Sequence, residues 1–186
     1  MIRVLLIALS TLLLAPSLFA REITGVPLAE TTTVAGKSLL LNGAGIRTKF
    51  FFKIYVGALY LPQKSTDPET IYPMSGPKRV SMHFLYDHLD REKLVDGWNK
   101  GFRKNLDSTE LTTLQPRIDA FNAAFSGVDE GDEIHLDYIP GRGTEIWIRG
   151  QLKATIKGAD FHIAWLKIWL GNEPADKGLK EGMLAR

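Results

Sequence analysis

Residues 39–62, LLLNGAGIRTKFFFKIYVGALYLP, are the longest apolar, β-favouring run after residue 20, and they carry one arginine, Arg47. Ile, Val, Phe and Tyr dominate the run, and such side chains fit a pleated, half-buried surface. Asn42, Gly43, Ala44 and Gly45 interrupt it and predict a tight turn, since glycine supplies positive-φ backbone at no steric cost. The expected order is a short strand, a turn, and a long strand over residues 46–61.

Strand alternation sorts the long stretch into two faces. Ile46, Thr48, Phe50, Phe52, Ile54, Val56, Ala58 and Tyr60 share one nearly apolar face, expected to pack on the core. Arg47, Lys49, Phe51, Lys53, Tyr55, Gly57 and Leu59 share the other. On an unbroken strand the Arg47 and Tyr55 backbones stand roughly 26 Å apart, so only a bulge, bend or strong curvature lets them share a site.

The rest of the chain alternates strands and helices. Ile23, Val26, Leu28 and Val34 among threonines predict an early strand pair. Asp67-Pro68 with Glu69 predicts one or two helical turns. Val80, Met82, Phe84 and Tyr86 alternate as a strand. Asp90 is a good N-cap for a helix whose Leu94, Trp98, Phe102 and Leu106 recur every fourth residue. A second helix begins near Ser108 or Thr112, with its solid part expected from Pro116, because proline is tolerated in a first turn. Ile118, Phe121, Ala124 and Phe125 form its apolar face, and Gly127 is expected to end it. Ile134, Leu136 and Tyr138 alternate before a hairpin turn at Gly141-Arg-Gly. Residues 145–149 and 152–156 are two more strands around a turn at Gly150. A helix opened by Gly158 and Asp160 is apolar nearly all round, which marks it as buried. A short terminal helix follows over residues 177–184. This order predicts one α+β domain over residues 21–186, an antiparallel sheet with helices gathered mainly on one face.

Residues 1–20 read as a secretory signal peptide. Arg3 is its positive end, an apolar run follows, Pro16 closes the run, and Ala20 is a small residue before Arg21. The run is shorter than a membrane span requires, and no later stretch is long and apolar enough to span a membrane. The expected location is therefore exported, and periplasmic if the source is a two-membrane bacterium. With no cysteine in the chain, disulfides and thiolate metal sites are excluded. A formal charge of +2 is too small to suggest nucleic-acid binding.

Several motifs together resemble the chalcone isomerase-like proteins, with the nearest likeness to a bacterial exported branch. G-x-G-x-R stands at Gly43, Gly45 and Arg47, followed by Tyr55-Val-Gly-Ala-Leu-Tyr60-Leu. Tyr138-Ile-Pro-Gly-Arg-Gly-Thr144 comes next, then Gly150, FHIAWLKIWLGNEP over residues 161–174, and Leu179-Lys180. The resemblance implies an open-faced β-sandwich with a ligand cleft between the large sheet and its helical layer. It implies that Arg47 lies in that cleft. The corresponding arginine helps bind and polarise substrate in the plant isomerases and looks to the carboxylate in the related plant fatty-acid-binding proteins. Tyr55 stands where the binders have tyrosine and the isomerases threonine. The isomerases' central-helix tyrosine and asparagine align with Asp90 and Gly97, and their last-helix serine or threonine with Ala164.

Arg47 keeps its charge, so once buried it needs an anion, either a ligand carboxylate or enolate, or an internal Asp or Glu. The alternative is exposure on an outer face beside Lys49 and Lys53. The Tyr55 hydroxyl is placed to donate to the same anion, or is simply a half-buried strand tyrosine. His83, His88, His135 and His162 form no metal-binding pair. Gly43-Ala-Gly45 lacks the further glycine and helix of a dinucleotide loop, so no cofactor is expected. Trp165 and Trp169 are expected core residues.

The main functional expectation is a non-catalytic binder of a small amphipathic acid of fatty-acid type, held by Arg47 and Tyr55. One rival is an isomerase acting on an enone, with Arg47 stabilising an enolate. The other is a structural or interaction module of the envelope, with Arg47 internally paired.

Overall fold

The computed structural model describes residues 21–186, so the expected signal peptide lies outside the described residues. A hairpin of β1 (Arg21–Ile23) and β2 (Val26–Leu28) leads into β3 (Thr31–Val34), β4 (Lys37–Lys49) and β5 (Phe52–Leu61). The one-turn helix α1 (Pro68–Ile71) precedes β6 (Lys78–Phe84) and β7 (His88–Leu89). Helices α2 (Arg91–Asn105) and α3 (Ser108–Ala123) follow, then β8 (Val128–Asp129), β9 (Glu133–Ile139), β10 (Gly143–Ile148) and β11 (Gln151–Ile156). Helices α4 (Ala159–Leu170) and α5 (Lys177–Met183) close the chain.

Seven strands form one antiparallel sheet in the order β11-β10-β9-β6-β5-β4-β3. One face carries the helices. Between them lies the main core, built on Trp98, Phe102, Phe121, Phe161, Trp165 and Trp169 against Tyr55, Leu59, Met82, Leu136 and Ile146. On the other face β1 and β2 cover a smaller core of Val26, Leu28, Leu39, Leu41, Val56, Ala58 and Tyr60. The predicted α+β layering holds, and α4 is buried on nearly every side as its composition requires.

Three local expectations are corrected. First, β4 runs straight through residues 42–45, and the chain turns at Phe50-Phe51, so residues 46–61 are not one strand. Phe50 takes φ 57° at this turn, a backbone region where glycine or asparagine is the usual resident. Second, both faces of β5 are covered, and the larger core lies on the Tyr55–Leu59 side rather than the Val56–Tyr60 side. Third, α3 starts at Ser108 and contains Pro116 in its middle. Its start is fixed by a capping box: Asp107 accepts from the N–H groups of Thr109 and Glu110, both at 2.8 Å, and Glu110 accepts from Asp107 N–H at 2.9 Å. Pro116 lies on the exposed side, where a carbonyl deprived of its helical donor can turn to water. Asp90 does occupy the N-cap position of α2, but its carboxylate meets Lys93 at 2.8 Å and His88 at 3.3 Å instead of the helix N–H groups.

Gly43 and Gly45 make room for α5. A methyl group on Gly43 would sit 2.2 Å from the Gly182 carbonyl oxygen and 2.8 Å from that of Met183. One on Gly45 would meet the Leu179 Cα at 3.2 Å, and one on Gly182 the Ala44 carbonyl oxygen at 2.5 Å. Backbone therefore lies on backbone. A bulge between Leu41 and Gly43 turns Asn42 toward the same helix. There its amide donates to Met183 O at 2.8 Å and to Ser65 O at 2.9 Å, and its oxygen accepts from Ser65 N–H at 2.8 Å.

At the opposite end of the sheet, buried His162 stacks on Tyr138 with ring centroids 3.8 Å apart. Neither ring nitrogen has a hydrogen-bond partner among the described residues. Burial, and then the Lys78 charge, hold its pKa well below the ordinary 6.5, so the imidazole stays neutral in the fold. The unfolded chain takes up a proton near pH 6.5 and the folded chain does not. Stability is therefore full above that pH and is lost as pH falls below it, by about 1.4 kcal/mol per pH unit. Denaturant midpoints at pH 5 and 7 should differ by less in His162→Phe than in the parent.

Candidate functional site

Arg47 and Tyr55 are direct cross-strand partners on β4 and β5. The turn at Phe50-Phe51 folds the run back on itself, so the separation expected for one long strand does not arise. Both side chains face the helical layer. The Arg47 guanidinium carbon lies 5.7 Å from the centre of the Tyr55 ring. Its Nη1 would be 3.8 Å from a methyl group built on Gly97 of α2. The arginine is thus wedged between sheet and helix, half-buried, rather than standing on an outer face with exposed Lys49 and Lys53.

No carboxylate of the described residues lies within 4.0 Å of Arg47, and its buried Nε–H has no acceptor. Arg79 shows what an internally paired arginine looks like in this fold. It forks onto Asp137 with two bonds of 2.6 Å and donates to Thr32 at 3.0 Å. The internal-pair reading of Arg47 therefore finds no partner among the described residues, and guanidinium donors set in an apolar wall are suited to an oxyanion.

Tyr55 is fully buried, and the Trp169 indole N–H donates to its hydroxyl oxygen at 2.8 Å. Burial raises the phenol's pKa, against the opposing pull of the Arg47 charge, so it stays protonated. With Trp169 occupying a lone pair, the O–H remains available to donate. Beside Trp169, with ring centroids 5.6 Å apart, Trp98 buries an indole N–H that has no acceptor among the described residues. Asp176 sits at the solvent side, accepting from Thr48 N–H at 3.0 Å. The Arg47 guanidinium and the Tyr55 hydroxyl are thus neighbouring donors, with Trp98 in the next layer against Trp169.

The sequence pointed to Arg47 and Tyr55 but took Trp169 as core alone and gave Trp98 only a helix face. A buried indole needs an acceptor for its N–H, and that need was the available signal. The space around the pair is packed, with Tyr55 and Trp169 fully buried and Trp98 1% exposed. None of five cavities in the structure includes Arg47 or Tyr55, and the most voluminous of them, about 920 Å³, opens near Lys104, Leu106, Lys167 and Arg186.

An antiparallel sheet, helical on one face and open enough on the other to need only a small hairpin cover, places the chain among the open-faced α+β sandwiches. A family model described as chalcone isomerase-like matches residues 20–185, and the chain belongs to that family. The fold is similar to the crystal structure of a fatty-acid binding protein from Arabidopsis thaliana. The TM-score is 0.67 at 15% identity, over 87% of this chain and 92% of that one. No curated protein sequence matches this one.

Proposed function

We propose that this protein binds a small amphipathic acid without transforming it, the acid held by Arg47 with Tyr55 and the tail lying among the aromatic side chains between sheet and helices. One observation carries the reading: a half-buried guanidinium has an acceptor-less Nε–H and no carboxylate beside it among the described residues. The likeness in fold to a protein titled as a fatty-acid binder supports the choice of ligand class. An enone isomerase needs groups that move protons at the arginine, and the α2 residue set against Arg47 is Gly97, which has no side chain to do so. The tight packing means that an incoming tail displaces side chains, so α2 and α5 are the elements expected to shift. Residues 1–20 are assigned to export and the mature chain to the periplasm.

Delipidated protein should bind a long-chain carboxylic acid in a calorimetric titration. Arg47→Ala should weaken the interaction about 10- to 100-fold, the range for losing a charge-assisted contact to a carboxylate. An unchanged affinity in Arg47→Ala, or a parent that binds no acid, overturns the proposal. Protein recovered from the envelope of a bacterial host should begin at or near Arg21.

A further inference from the structure

The turn that brings Arg47 to Tyr55 exposes three consecutive phenylalanines. Phe50 is 86% exposed, Phe51 97% and Phe52 56%. Exposed Lys49 and Lys53 flank them. Phe52 leans on Tyr86, with ring centroids 5.5 Å apart and edge to face, so its ring is braced on the protein. Phe50 and Phe51 project from the end of the sheet's two longest strands.

Two independent features of this tip run against stability. Large apolar side chains stand in water, and Phe50 holds φ 57°, where a bulky residue is strained and asparagine or glycine would sit at ease. The shape is also informative. A protein groove is the usual host of a convex apolar tip of one or two residues, but here a cation stands on either side of the aromatic run. That pattern matches a bilayer boundary, where aromatic rings enter the acyl region and lysines meet headgroup phosphates. Among the described residues, the carboxylate hydrogen-bonded to the hairpin is Asp176, which accepts from Thr48, one position inboard of Lys49.

We propose that residues 49–53 form a docking finger for an anionic lipid surface, with Phe50 and Phe51 entering the membrane and Lys49 and Lys53 pairing with lipid phosphates. No helix of the described residues is long and apolar enough to cross a membrane, so the contact is peripheral. The finger does not depend on the acid-binding reading, although it would hold Arg47 three positions from the aromatic tip.

The test is flotation of the purified protein with vesicles of three parts phosphatidylethanolamine to one part phosphatidylglycerol, beside vesicles of phosphatidylcholine alone. The parent should float with the anionic vesicles. Phe50→Asn combined with Phe51→Ser should reduce partitioning at least about tenfold. It should also leave the melting temperature equal or higher, because asparagine accepts the turn's backbone. Lys49→Gln and Lys53→Gln should each weaken binding about fivefold at low salt and by less in molar salt. No flotation of the parent, or equal flotation of the double phenylalanine variant, overturns the proposal. A parent that dimerises in light scattering, remains off vesicles and becomes monomeric in the double variant assigns the finger to a second copy of this chain and likewise overturns it.

Discussion

Gly43→Ala is expected to cost at least about 3 kcal/mol and to lower the melting temperature by roughly 10 °C, the shift that such a loss produces in a domain of this size. The new methyl group would fall 2.2 Å from the Gly182 carbonyl oxygen, and neither backbone can yield without lifting α5 off the sheet. Gly57→Ala on the neighbouring strand is the internal control. Its methyl group would meet the ends of Met183 and Leu179, at 2.8 and 3.0 Å, and the edge of the Tyr55 ring at 3.3 Å, all of them side-chain atoms rather than backbone. Its cost should stay near 1 kcal/mol. Differential scanning calorimetry of the two variants separates the cases, and equal losses would show that the contact of backbone on backbone is not what holds α5.

Lys78→Met is expected to stabilise the protein by about 1–2 kcal/mol at pH 7. Lys78 is 1% exposed, its ammonium lies 5.3 Å from the centre of the Tyr138 ring, and it donates to the Met74 carbonyl oxygen. No carboxylate of the described residues pairs with it. Burial therefore pulls its pKa down from 10.5 to about 8. Below pH 8 both folded and unfolded chains carry the proton, and the folded state bears the full cost of a buried charge. Between pH 8 and 10.5 the unfolded chain still holds the proton while the folded chain releases it, so the parent's stability rises with pH. Methionine fills a similar volume without the charge, although the Met74 carbonyl loses a donor, which offsets part of the gain. Urea midpoints from pH 7 to 10 should climb in the parent and stay nearly level in the variant. A variant less stable than the parent at pH 7 would assign Lys78 a net stabilising role.

Most of the fold was legible because each element announced its own periodicity. Leu94, Trp98, Phe102 and Leu106 drew the buried face of α2, and the alternation of Val80, Met82 and Phe84 drew β6. The errors cluster in residues 42–51, where local chemistry and tertiary need diverge. Two glycines just before an apolar run look like a turn, but here they clear space for a helix encoded far downstream. The true turn carries Phe50 and Phe51, which local rules read as strand, and the reason for phenylalanine there lies outside the folded chain's own packing. The pair Arg47 and Tyr55 was identifiable by residue type, but their meeting required the position of that turn. Trp98 and Trp169 entered the site through hydrogen-bond demand, which becomes visible only once the neighbours of each indole are known.

The glycine strip on β4 also sets an order of events in the making of this molecule. It is a length of bare main chain, and its cover comes from α5, an element encoded far downstream. Asn42 and Met183, which clasp across that contact, are 141 positions apart. Contacts so distant close late and slow the search for the native state. A chain emerging from its N-terminus can pair β4 with β5 early, yet the glycine face beside the arginine stays open until α5 arrives. Loss of α5 alone would leave the sheet nearly complete and its most vulnerable backbone wet. Helix α5 is therefore the keystone of assembly.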